Sequence, residues 1–100
     1  MNYYVTPEQE KWLLANGLKP YCPEKGITLL EAAQWFLENY SIECKFDWNF
    51  DKSVNGVYLY PGKNFYTLEC SNSGFNTIPE ALSWAIDQAI NHVNNQSNEQ

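Results

Sequence analysis

Residues 42–50 read IECKFDWNF, and in this stretch apolar and polar residues alternate one by one. A period of two is typical of a β-strand that buries one face and exposes the other. The predicted buried face holds Ile42, Cys44, Phe46, Trp48 and Phe50. On both sides of this strand the apolar residues recur every three or four positions, as in amphipathic helices. The change of period predicts an α+β fold.

Three predicted helices begin with the same signal, a threonine followed three residues later by Glu or Gln. In this capping box the hydroxyl accepts a hydrogen bond from a free helical N–H, and the second side chain reaches back to the cap. The three boxes are Thr6–Gln9, Thr28–Glu31 and Thr77–Glu80. They predict helices from residue 7 to about 16, from 29 to about 40 and from 78 to about 93, and Gly17 is expected to end the first of them as a left-handed cap. The predicted buried stripe of the second helix holds Leu29, Ala33, Phe36, Leu37 and Tyr40.

Two more short strands are predicted, at residues 57–60 and 65–70, after a loop over residues 51–56. Short connections favour antiparallel neighbours. We therefore predict a single α+β domain over residues 1–93. Its expected architecture is a three-stranded antiparallel sheet with two helices packed on one face, in α-β-β-β-α order, plus a short N-terminal helix. Residues 94–100, NNQSNEQ, contain no apolar side chain and are predicted to be a disordered tail.

The charge balance argues against a nucleic-acid partner. The chain has 100 residues, with 12 acids against 6 bases and a net charge of −6, and none of the bases is arginine. Nucleic-acid-binding domains usually present a basic patch in which arginine contacts phosphates. No signal peptide or membrane-spanning run is apparent, and the 3 cysteines are an odd number. We predict a cytoplasmic protein with free thiols and no membrane contact.

The sequence does not predict an enzyme. A metal site needs several ligands at tight spacing, and the chain has 1 histidine, His92, which lies opposite the apolar stripe of the last helix. Cys22 is the thiol expected to be exposed, and the charges of its neighbours Glu24 and Lys25 cancel. No catalytic residue, cofactor-binding residue, metal ligand or cofactor is therefore predicted.

Two tryptophans form the predicted interaction surface. On a helical wheel, Trp35 and Trp84 lie far from the apolar stripes of their helices, and large exposed aromatics are enriched at recognition sites. The nearby polar residues of this surface are Glu31, Glu38, Asp87 and Gln88. Its expected partner is another protein or a second copy of the chain. Two alternatives remain open: the N-terminal helix, with Trp12, covers one or both indoles, or their exposure is incidental.

Two resemblances follow from these elements. Residues 28–93 resemble double-stranded-RNA-binding domains in element order, but the last helix here begins Thr-Ile-Pro-Glu-Ala, without that family's lysine cluster. The segment Gln34-Trp35-Phe36-Leu37 and the Phe75-x-Thr77-x-x-Glu80-Ala81-Leu82 pattern resemble a group of short bacterial and phage proteins of uncharacterised activity. The expected function is a non-enzymatic interaction or accessory module of phage or mobile-element origin. The alternative is a degenerate nucleic-acid-binding domain.

Overall fold

The helices and strands occur in the order that the sequence predicts, but their lengths differ. The computed structural model describes residues 3–48, 54–61, 69–70 and 74–98. In chain order the elements are α1 (Pro7–Ala15), α2 (Leu29–Tyr40), β1 (Ile42–Trp48), β2 (Val54–Pro61), β3 (Glu69–Cys70) and α3 (Ile78–Asn98).

The predicted capping boxes are confirmed for α1 and α2. The hydroxyl of Thr6 accepts the Gln9 N–H at 3.2 Å, and the Gln9 side-chain oxygen accepts the Thr6 N–H at 2.9 Å. Thr28 and Glu31 make the same pair of hydrogen bonds, at 3.1 and 3.2 Å. At α3 the Thr77 hydroxyl accepts the Glu80 N–H at a longer 3.4 Å. These boxes fix the helix starts because they satisfy N–H groups that have no partner within the helix.

The end of α1 is also the one that the sequence predicts. Gly17 has a φ of +105°, a conformation that glycine adopts without a steric penalty. The Leu18 N–H donates to the Leu13 carbonyl at 3.0 Å and the Gly17 N–H to the Leu14 carbonyl at 3.3 Å, the two hydrogen bonds of a Schellman motif. Leu13 and Leu18 are both buried, so the motif turns the chain back into the core.

The predicted fold class needs correction in its sheet. Among the described residues, one long antiparallel pair is formed, by β1 and β2, from Ile42–Pro61 to Asp47–Gly56, with an irregularity at Trp48. β3 adds two residues, paired with Tyr58 and Leu59 of β2, whereas a strand over 65–70 was predicted. Residues 65–68 lie outside the described part of the chain. β2 begins at Val54, earlier than predicted. The residues at its start were predicted to be a loop, but they pair with the end of β1. What the structure supports is a small mixed α+β chain built around a two-stranded ribbon.

The core is a helical cluster against one end of this ribbon. α2 and α3 pack on each other, α2 lies against β1, and α3 lies against β2. Ile42 at the start of β1 is buried, but Cys44 and Phe46 on the same face are only partly buried. The cover over the ribbon therefore decreases along β1.

The N-terminal segment, which was predicted as a short helix within the domain, contributes to the core. Val5, Leu13, Leu18 and Ile27 are all buried. Hydrogen bonds from the Val5 N–H to the Ile27 carbonyl (3.0 Å) and from the Leu29 N–H to the Tyr3 carbonyl (2.8 Å) hold this segment beside the start of α2.

At the other end of the chain, α3 continues to Asn98, through residues that were predicted to be disordered. The indole N–H of Trp12 donates to the Asn94 side-chain oxygen at 3.0 Å, which links α1 to this extension. None of the helices described here has the length and apolar character needed to cross a membrane.

Candidate functional site

Trp35 is covered by the N-terminal helix. Its side chain is partly buried, and its ring lies 6.0 Å from that of Trp12 in an edge-on arrangement. Trp12 in turn stacks on Phe36, with a centroid distance of 5.8 Å. Trp35 also contacts Phe36 and Tyr40, at 5.1 and 5.4 Å. The indole is thus part of an aromatic cluster between α1 and α2, as in the alternative that α1 covers it.

Trp84 lies in a different environment, on α3. It is partly buried against the core, and its ring lies 6.1 Å from that of Phe75. The ring contacts of the two tryptophans therefore belong to two separate clusters.

The polar residues of the predicted surface are also divided between α2 and α3. Glu31, Trp35 and Glu38 line one small cleft of about 150 Å³, which also contains Lys19. Glu31 is already engaged there, because its carboxylate caps α2 and accepts the Tyr21 N–H at 3.1 Å. The Glu38 carboxylate accepts a hydrogen bond from Gln34 at 3.0 Å.

The remaining members of that surface lie on α3. Asp87 accepts a hydrogen bond of 2.8 Å from the buried Gln9, and Gln88 is partly buried. Trp84, Asp87 and Gln88 do not line the cleft of Trp35, so this cleft brings together three of the six predicted residues, Glu31, Trp35 and Glu38.

A different surface, which the sequence did not predict, exposes several aliphatic side chains. Leu30 is 75% exposed, Leu37 49% and Ile78 42%. Leu30 and Leu37 are seven residues apart, two turns along the same side of α2. They lie on an open groove of about 670 Å³ between α2, β1 and the beginning of α3. The described residues that line the groove are Leu30, Ala33, Gln34, Leu37, Ile42, Glu43, Cys44, Phe46, Ile78 and Leu82.

We call this surface the apolar groove. A smaller cavity of about 240 Å³ continues it at one end, since both are lined by Leu30, Ile78 and Leu82. The exposed Tyr3 of the N-terminal segment also lines that cavity.

The exposure of Leu37 and Tyr40 corrects the stripe that was predicted for α2. The buried residues of this helix are Leu29, Ala32 and Phe36. The sequence does contain a signal for the second face: the doublets Leu29-Leu30 and Phe36-Leu37 make the apolar arc too wide for one contact. The first member of each doublet enters the core and the second faces the groove.

Cys44 forms part of the groove wall as a protonated thiol. Burial, with a smaller contribution from the neighbouring carboxylate of Glu43, raises the pKa of Cys44 to about 11. A thiol with this pKa is a poor nucleophile at neutral pH, because the thiolate is the reactive form. The described residues include no group of His, Cys, Asp and Glu that could hold a metal ion. What the groove offers chemically is apolar contact area.

No protein-family model matches the chain, and comparison with curated proteins and with solved structures finds no significant match. The resemblances to short phage proteins and to double-stranded-RNA-binding domains therefore stay predictions.

Proposed function

We propose that this chain is a small non-enzymatic protein-interaction module whose contact surface is the apolar groove. The observation that carries the proposal is the exposure of Leu30, at 75%, in one continuous depression with Leu37 and Ile78. Single exposed apolar residues are normal on a protein surface, but a contiguous group of them marks an interaction site.

The lining of the groove favours a protein over a small molecule. Small-molecule sites usually combine apolar walls with several convergent polar groups that orient the ligand. Here the walls are mainly aliphatic and aromatic, and the polar side chains among the described lining residues are Gln34, Glu43 and the Cys44 thiol. Burying a leucine side chain fully contributes about 1.5–3 kcal/mol. Leu30 and Leu37 are therefore suited to be contact hot spots.

An accessory role in a phage or mobile element and a cytoplasmic location belong to the same proposal. They are supported by the resemblance of residues 34–37 and 75–82 to short phage proteins and by the predicted free thiols. No contact in the structure bears on them.

The experiment is an unbiased peptide-display selection against the folded protein, followed by affinity measurements on three forms. Wild type is compared with Leu37→Ser in the groove and with Leu14→Ser on α1. Leu14 is the matched control, because it is 47% exposed but does not line the groove. Both side chains are about half buried, so the two substitutions should lower the free energy of unfolding by similar amounts, of about 1–2 kcal/mol.

We expect the selected peptides to bind wild type and Leu14→Ser with equal affinity. Their affinity for Leu37→Ser should be about tenfold lower. A selection that yields no binder would contradict it. Binders that are insensitive to Leu37→Ser, or equally sensitive to Leu14→Ser, would also contradict it.

A further inference from the structure

We propose that the partner segment is an amphipathic helix whose flanks carry Lys or Arg, supplied by a different protein. This inference rests on the proposed function, since it specifies the chemistry of the groove's occupant. Two features of the described residues carry it: the shape of the groove walls and the sign of the charges around them.

The wall formed by α2 favours a helix as the occupant. Leu30, Ala33 and Leu37 present side chains over about 10 Å of helix length. A helical backbone makes its own hydrogen bonds, so this wall offers apolar contacts but few main-chain partners. An extended peptide lying along α2 would find no main-chain partners on that helix for its own N–H and C=O groups. A helix brings these groups already paired and presents anchors at positions i, i+3 or i+4, and i+7.

The charges around the groove favour basic flanks. Glu43 lines the groove itself. Glu80 lines a neighbouring cleft, which shares Leu29 and Pro79 with the smaller cavity. Among the described residues that line the groove, the cavity and this cleft, the charged ones are acidic.

The same charges disfavour a second copy of the chain. A two-fold dimer through the groove would bring identical acidic surfaces together in a molecule whose net charge is already −6. Like charges in an interface are destabilising, whereas Lys or Arg on a partner would be complementary.

The test uses three synthetic helical peptides of about 15 residues with one shared apolar stripe. The polar positions are Lys and Arg in the basic peptide, Gln in the neutral peptide and Glu in the acidic peptide. The affinity of each peptide is measured by fluorescence anisotropy at low and at high salt. We expect the basic peptide to bind about tenfold more tightly than the acidic one at low salt, with a smaller difference at high salt.

Variants of the protein assign this preference to the groove. The double substitution Glu43→Gln and Glu80→Gln should remove most of the preference for the basic peptide over the acidic one. Glu24→Gln is the matched control, because Glu24 is an exposed acid that does not line the groove. Leu37→Ser should weaken the binding of all three peptides.

The outcomes separate this inference from the proposed function. If the three peptides bind equally and Leu37→Ser weakens each of them, the groove is an interaction site and the inference about basic flanks is wrong. If none of the three peptides binds, but display selection yields peptides whose binding is weakened by Leu37→Ser, the inference that the occupant is a helix is wrong. If light scattering detects a dimer that Leu37→Ser dissociates, the occupant is a second copy and the inference is overturned.

Discussion

The side-chain amide of Gln9 in α1 donates a hydrogen bond of 2.8 Å to the carboxylate of Asp87 in α3. The same amide donates to the main-chain carbonyl of Ser83 at 3.1 Å, and its oxygen accepts the Thr6 N–H. Gln9 is 2% exposed. A buried polar group is stable when its hydrogen bonds are satisfied, so this glutamine holds α1 in one position on α3.

Replacing Gln9 with alanine should destabilise the fold by about 1–3 kcal/mol. The substitution leaves the Ser83 carbonyl and the Thr6 N–H without their side-chain partner and opens a space in the core. Gln34→Ala is the control, because Gln34 makes an exposed hydrogen bond to Glu38, and its loss should cost less than about 0.5 kcal/mol. Urea unfolding of both variants measures the difference. Equal stabilities would mean that the Gln9 contacts contribute little to the fold.

The cover over Trp35 depends on Trp12, which leads to a second prediction. Trp12→Ala removes the ring that stacks on Phe36 and meets the edge of Trp35, and should cost about 2–4 kcal/mol. Trp12→Phe keeps an aromatic ring there and loses the indole hydrogen bond to Asn94, an exposed contact of 3.0 Å. Its cost should be about 0.5–1.5 kcal/mol. Denaturant unfolding checks both values, and similar costs for the two variants would contradict the stacking role.

The elements that local signals specify were predicted well. The boxes at Thr6 and Thr28 and the glycine at position 17 act within a few residues, so their effect can be recognised in the sequence. The alternation that begins at Ile42 likewise predicts β1.

Contacts between distant residues could not be predicted in the same way. The burial of Gln9 depends on Ser83 and Asp87, more than 70 residues later in the chain. The helical wheel placed Trp35 away from the core stripe of α2, but only the position of α1 decides whether that face is covered. Leu37 next to Phe36 is ambiguous for the same reason: an apolar doublet does not show which member enters the core.

Ser41 provides a third prediction, because its backbone is in the left-handed region. It ends α2 with φ 57° and ψ 31°. Among the described residues it is the only one other than glycine that has a positive φ. A side chain in this conformation costs about 1–2 kcal/mol relative to the right-handed helix, and glycine avoids most of that cost. Ser41→Gly should therefore stabilise the protein by about 0.5–1 kcal/mol, after the greater freedom of glycine in the unfolded chain is subtracted.

Asn16→Gly is the control for Ser41→Gly. Asn16 also caps the end of a helix and is exposed, but its φ is −100°, so glycine relieves no strain there. The substitution also removes the hydrogen bond from the Asn16 amide to the Trp12 carbonyl, and it should be destabilising. Thermal unfolding of both variants gives the sign of each effect. If Ser41→Gly is destabilising as well, the strain at Ser41 is not a significant term.

Cys44 gives a pH-dependent prediction that also reports on the groove. Because its pKa is about 11, its thiolate fraction, and with it the rate of alkylation by iodoacetamide, should rise about tenfold per pH unit between pH 8 and 10. The desolvation by burial, which is the main cause of the raised pKa, also keeps Cys44 slow relative to the exposed Cys22. Peptide-level mass spectrometry after timed alkylation measures the two rates in one sample. A groove-binding peptide should slow the alkylation of Cys44 further and leave that of Cys22 unchanged, because Cys44 lines the groove and Cys22 does not. Equal protection of both thiols would place the peptide elsewhere or indicate a general change in the fold.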